Sequence, residues 1–107
     1  MTPALEISER PAAARDGVVL ALAGELDLAT VDLLTTRLAD AARNGQSVVL
    51  DLSDLDFIDS SGIRAFLQAT AEASRDGWSF AITQPPARIQ RVFEVAGVHA
   101  FLPHVER

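Results

Sequence analysis

Hydrophobic positions along the chain change period several times, and each change marks an element. Leu5-Glu6-Ile7-Ser8 alternates every second residue, as a half-buried strand does. Pro11 to Asp16 reads as a loop that closes at an Asp16-Gly17 turn. Val18 to Ala23 is an unbroken apolar run of strand length, the pattern of a strand covered on both faces, and Gly24 ends it. Val31, Leu34, Leu38 and Ala41 then recur at helical spacing. Thr30 caps this helix, or Asp27 starts it slightly earlier, and Asn44-Gly45 supplies a left-handed stop.

Val48 to Leu52 is a second buried strand, followed by a polar connection from Ser53 to Asp56. Phe57-Ile58 leads into Asp59-Ser60-Ser61-Gly62, and a second helix follows with Ile63, Phe66, Leu67, Thr70 and Ala71 on one face. Asp76-Gly77 closes that helix. Trp78, Phe80 and Ile82 alternate in a further core-facing strand, with Trp78 as a core residue. Pro85-Pro86 breaks the chain and opens a third helix whose stripe is Ile89, Val92, Phe93 and Ala96, ending at Gly97. Phe101-Leu102 reads as a last short strand. The order β-β-α-β-α-β-α, with that terminal strand, predicts an α/β domain. Its mixed central sheet has four to five strands, the first antiparallel and the rest mostly parallel, with three or more helices packed on it.

Length and composition narrow the class. A chain of 107 residues fits one domain, taken as 1–107, with a core of its own. Apolar residues make up 49%, yet no stretch approaches the roughly 20 residues of a membrane span. Met1-Thr2-Pro3-Ala4-Leu5-Glu6 lacks the basic start and apolar stretch of a signal peptide, so the expected location is the cytoplasm. There is no cysteine, and His99 and His104 have no third ligand nearby in sequence, so neither a metal nor another cofactor is expected.

Charge changes the picture further. All of the net −6 falls between Gly24 and Asp59, where Glu25, Asp27, Asp32, Asp40, Asp51, Asp54, Asp56 and Asp59 face only Arg37 and Arg43. Nucleic acid would be repelled by such a surface, and a partner with a basic face would be attracted. All nine basic residues are arginine, a composition that points to a GC-rich bacterial genome.

The segment Asp59-Ser60-Ser61-Gly62 sits between an apolar strand and an amphipathic helix. Aspartate and serine are good helix caps and glycine permits close packing, so a purely structural role accounts for much of it. Catalysis is poorly supported: Ile58 stands where a nucleophile elbow Gly-x-Ser-x-Gly needs its first glycine, and with no lysine there is no phosphate-binding loop. Ser60 therefore does not read as a catalytic nucleophile of this chain.

Three segments in order resemble the STAS domain family, named for sulfate transporters and anti-sigma factor antagonists. They are Gly24-Glu25-Leu26-Asp27, the stretch from Leu52 through Asp59-Ser60-Ser61-Gly62-Ile63, and Pro86 to Val98. The resemblance implies a STAS-like fold and a non-enzymatic anti-sigma factor antagonist. In that branch the first serine of the motif, here Ser60, is phosphorylated by the partner, an anti-sigma factor that is also a serine kinase of the GHKL type. A serine phosphatase reverses the modification. Asp59 would support the acceptor, and Ser61, Gly62 and Ile63 would complete the docking loop. Glu25 and Asp27 would lie beside it in the same partner-binding face. The family also implies alternatives: an accessory subunit of a bacterial ABC lipid-transport complex, or a scaffold component in stress signalling. A weak homodimer is compatible with all three.

Two departures stand out. Arg64 occupies a position where many members of the family have a small residue, and it either points to solvent, meets a partner or approaches a phosphate on Ser60. The chain also ends soon after Phe101-Leu102, where related domains usually continue into a further helix.

Overall fold

The computed structural model describes residues 4–13 and 16–105. Met1 to Pro3 and the centre of the Pro11 to Asp16 loop lie outside them. Four strands form one sheet in the order β1-β2-β3-β4: β1 (Leu5–Pro11), β2 (Gly17–Leu26), β3 (Ser47–Ile58) and β4 (Phe80–Ile82). β1 runs antiparallel to β2, with Leu5 opposite Gly24 and Pro11 opposite Val18, and the other two pairings are parallel. The parallel pairs are linked through α1 (Val31–Arg43) and α2 (Ser60–Asp76), and α3 (Ala87–Ala96) follows β4. The expected sequence of strands and helices up to α3, and the strand directions, thus hold.

A single layer of helices covers one face of the sheet. Val18, Leu20 and Leu22 of β2 and Val48, Leu50 and Leu52 of β3 are buried in one cluster with Leu34 and Leu38 of α1, Phe66 and Ala69 of α2, and Ile89 and Phe93 of α3. Phe66 is fully buried at its centre, its ring centroid 6.4 Å from that of Phe80 and 6.2 Å from that of Phe93. The alternate positions Val19, Ala21, Ala23, Val49 and Ala81 are only half-buried. The apolar run of β2 therefore does not mean two covered faces. Small side chains tolerate the open face, across which Arg10 of β1 reaches Asp51 of β3 at 3.3 Å.

Ser53 to Asp56 is not a connection, because β3 continues through it to Ile58. The pairing of β2 with β3 slips twice, between Ala21 and Ala23 and between Gly24 and Glu25, and each slip places an extra residue on β3. A bulge of this kind lengthens the side-chain repeat from two residues to three. Leu52, Leu55 and Ile58 are accordingly all buried on the same side.

The remaining differences are local. On α2, Ala69 and Ala73 complete the buried stripe and Ala71 is exposed, while Ala96 of α3 is exposed as well. Trp78 precedes β4 and is half-buried at the rim of the core, edge-on to Phe80 at 6.4 Å. In place of a terminal strand, His99–Phe101 forms a 3-10 turn that leaves Phe101 exposed and Leu102 buried. Sheet pairing resumes only at His104, which forms a parallel bridge with Ile82.

Truncation of Phe66 to alanine removes the central aromatic contact and is expected to destabilise the domain by about 3–5 kcal/mol, read from urea unfolding. An acid-sensitive contribution comes from Asp51. Its carboxylate is held below the usual range first by the Ser53 hydroxyl, 2.7 Å away, then by the Ser53 amide and Arg10, against the opposing effect of partial burial. A lowered native value means the unfolded chain binds more protons, so this stabilisation is present above the ordinary carboxylate range and fades as pH falls through it. Ser53→Ala should lower stability modestly at pH 7, and the gap from wild type should close below about pH 4. A gap that stays constant through that range would exclude this role for Asp51.

Candidate functional site

Asp59-Ser60-Ser61-Gly62 lies at the corner where β3 ends and α2 begins. A helix start leaves its first amide groups without partners, and Asp59 supplies them. In extended conformation at the N-cap, it accepts from Ser61 N at 2.8 Å and from Gly62 N at 3.4 Å through Oδ1. Its other oxygen, Oδ2, accepts from Leu28 N at 3.3 Å. Asp59 N in turn donates to Leu26 O at 3.2 Å, continuing the pairing of β2 with β3 by one residue. One side chain thus joins the helix start to the loop after β2.

That loop is folded by its own acid. Asp27 Oδ1 accepts from Ala29 N at 3.0 Å and Thr30 N at 3.2 Å, which closes the turn before α1. The buried Thr30 hydroxyl donates to Glu25 O at 2.8 Å and accepts from Asp27 N at 3.0 Å. Thr30 occupies the N-cap position without capping through its side chain, and Asp27 closes the turn before it, with its backbone carbonyl accepting from Val31 N at 2.8 Å. Gly24 turns the chain with φ +109°, and a Cβ there would lie 2.2 Å from Ala4 O. Only glycine fits this close approach, and it fixes the direction in which exposed Glu25 leaves the sheet.

Glu25, Asp27 and Asp59 are therefore brought to one corner with Ser60, Ser61, Gly62, Ile63 and Arg64. Ser60 is the first residue of α2 and is exposed, and its hydroxyl makes no hydrogen bond among the described residues. Arg64, one turn later, is exposed too. Gly62 and Ile63 are buried, so they contribute the shape of the corner and not a surface. A Cβ on Gly62 would lie 2.7 Å from Ile58 Cγ1 and 2.9 Å from Leu26 Cγ, which shows how tightly the helix start is pressed onto the ends of the two strands.

Two apolar residues at this corner escaped sequence reasoning. Leu28, between Asp27 and the α1 turn, is 77% exposed, and Phe57, opposite Glu25 in the sheet register, is 48% exposed. Exposed large apolar side chains beside polar groups are a common signature of a docking surface. Polarity alone could not flag them, since a leucine after a strand and a phenylalanine in one both read as core. Among the described residues no group of three metal-ligating side chains forms, and no helix is long and apolar enough to cross a membrane.

Residues 10–103 match a family model described as "Mlab, STAS domain". The anti-sigma F factor antagonist of Paenibacillus polymyxa is 28% identical over 91 residues, which span 83% of this chain and 78% of that protein. The anti-sigma-B factor antagonist of Bacillus subtilis is 26% identical over 77 residues, or 72% of this chain and 71% of that one. Among solved structures, the anti-sigma factor antagonist SpoIIAA in its unphosphorylated form superposes with a TM-score of 0.69 at 23% identity, over 97% of this chain and 89% of that chain. The phosphorylated form of SpoIIAA, from Bacillus, gives 0.67 over 97% and 93% at the same 23% identity. At such identities the solved structures bear on the fold alone.

The corner should respond differently to its two structural residues. Asp59→Ala removes the cap and is expected to cost about 1–2 kcal/mol, with faster amide exchange at Ser61 and at Leu28 across the loop. Gly62→Ala should cost about 1–3 kcal/mol through overpacking, without that exchange signature at Leu28. Unchanged exchange at Leu28 in Asp59→Ala would mean that the two segments are joined by something other than this carboxylate.

Proposed function

The chain belongs to the STAS domain family, and we propose that within it the protein is an anti-sigma factor antagonist switched by phosphorylation of Ser60. Unphosphorylated, it binds an anti-sigma factor that is also a GHKL-type serine kinase, and so frees the sigma factor. Phosphorylated, it is released, and a serine phosphatase resets it. The names of its relatives support the coarse assignment. The observation that carries the switch is the position of Ser60: exposed, unbonded and first in α2.

The chemistry fits that position. The Ser60 hydroxyl attacks the γ-phosphorus of a nucleoside triphosphate held by the kinase. A P–O bond to serine forms, the bond to the leaving nucleoside diphosphate breaks, and the hydroxyl proton is lost. The product adds about −1.5 to −2 charges at neutral pH. The start of a helix tolerates an anion, because its free amide groups and dipole favour negative charge, so the fold can carry the modification. A partner packed over Ser60 cannot: the phosphate introduces bulk and a desolvated charge next to Glu25, Asp27 and Asp59. Each 1.4 kcal/mol of that mismatch is about tenfold in affinity.

Leu28 and Phe57 supply the apolar contact that an acidic corner lacks. A few anchors seated in desolvated pockets, ringed by contacts that exclude water, dominate the energetics of most interfaces. The acidic groups select a basic partner face and speed encounter. The protein acts here as a ligand and as a kinase substrate, with no catalysis of its own.

The matching family description names Mlab and not an antagonist, which favours a second reading, an accessory subunit of a bacterial ABC lipid-transport complex. That reading uses the same corner with an ATPase in place of the kinase.

Capture of partners from the native cytoplasm, with intact-mass measurement, separates the two. The switch requires a kinase in the catch, one added phosphate on wild type and none on Ser60→Ala. Ser60→Asp should bind that kinase at least about tenfold more weakly, and Leu28→Ala and Phe57→Ala should each weaken it by a similar factor. If Ser60→Asp binds as tightly as wild type, the switch is wrong. An ATPase and permease in the catch would establish the transport reading instead.

A further inference from the structure

We propose that Arg64 is an intramolecular clamp for the phosphate on Ser60, an inference that rests on the reading of Ser60 as the phosphoacceptor. The two residues are four apart on α2, so they are neighbours on one face of the helix, with Cβ atoms roughly 5–6 Å apart. Side chains on a helix lean toward its N-terminus, which carries the Arg64 guanidinium back over the first turn and toward the Ser60 oxygen. Both residues are exposed, so neither must leave the core to meet the other.

Charge on the page points the same way. Arg10, Arg37, Arg43, Arg75 and Arg88 are each engaged by a carboxylate, whereas Arg64, like Arg91 on α3, makes no ion pair among the described residues. The acids at the corner are already committed: Asp59 holds Ser61, Gly62 and Leu28 amides, and Asp27 holds those of Ala29 and Thr30. Glu25 is exposed at the end of β2, and Asp56 of β3 faces Arg88 at 3.5 Å. A phosphate on Ser60 therefore arrives among Glu25, Asp27 and Asp59, and Arg64 is the one cation in the first two turns of α2. A guanidinium matches a phosphate through two parallel N–H···O bonds.

The clamp has a regulatory consequence. It holds the phosphate down along α2 and offsets the repulsion of the surrounding acids, which stabilises the modified, released form. It also covers oxygens that a phosphatase must reach. Domains with a small residue at this position would present a freer phosphate, so Arg64 sets how long the switch stays off.

The test uses the full chain with phosphoserine installed at position 60 during translation. A 31P NMR titration at low ionic strength reads the second ionisation of the phosphate. The clamp should lower that midpoint by about 0.3–0.7 pH unit in wild type relative to Arg64→Gln, a shift typical of one surface charge pair. Arg64→Lys should retain part of the shift, and about 1 M salt should largely abolish it. Coincident thermal unfolding of the unmodified proteins checks that the variants fold. Equal midpoints in wild type and Arg64→Gln overturn the clamp and leave the Ser60 switch standing. A purified partner kinase that leaves Ser60 unmodified overturns the switch, while the titration still reports on the clamp.

Discussion

A single carboxylate organises the surface through which this protein is proposed to act. Asp59 must satisfy the open amide groups at the start of α2, because a helix that begins flush with the end of a sheet has no water on its inner side to do so. It also holds the Leu28 amide, which ties in the loop after β2. Gly62 then lets the helix rest directly on Leu26 and Ile58. With the inner side of the first turn filled by this contact and the cap made by Asp59, Ser60 faces outward with nothing structural to do. Its hydroxyl is available for chemistry because the residue before it and the residues after it carry the structure.

The same accounting applies to the charge of the protein. Between Gly24 and Asp59 the sequence is strongly acidic, and the structure pairs or hydrogen-bonds several of those carboxylates while leaving the segment's net charge strongly negative. Asp40, Asp51 and Asp56 each face an arginine, two of them recruited from outside the segment. Asp27 and Asp59 are turned onto backbone amides. Exposed pairs of this kind contribute little to stability, and salt screens exposed charges from one another beyond about 8 Å at physiological ionic strength. What remains at the corner is a compact acidic rim around two apolar side chains. That combination suits docking against a partner with a basic face and an apolar pocket.

The helices, the strand order and the motif loop were legible in the sequence because each is announced by a period or by a residue with one strong local preference. Asp59, Gly45, Gly77 and Gly97 are of that kind. The second half of β3 was hidden because a bulge changes the period from two to three, and Ser53-Asp54 then resembles a turn when it is the outward side of a strand. The open face of β2 was hidden because valine and alanine occur equally in covered and half-covered strands. Leu28 and Phe57 illustrate the same limit at the site. Hydrophobicity says that a side chain prefers burial, and only the fold says whether its own domain provides it.

Separating stability from binding is what allows a corner of this design to work as a switch. Were Ser60 itself the cap, a phosphate would break the hydrogen bond that starts α2, and modification would loosen the domain along with its interface. With the cap displaced by one residue onto Asp59, the modified side chain projects from a helix start whose amide dipoles favour the anion. The energetic cost of the phosphate then falls on whatever is docked against the corner, while the core around Phe66 is untouched. In such an arrangement affinity can change by orders of magnitude at nearly constant fold stability.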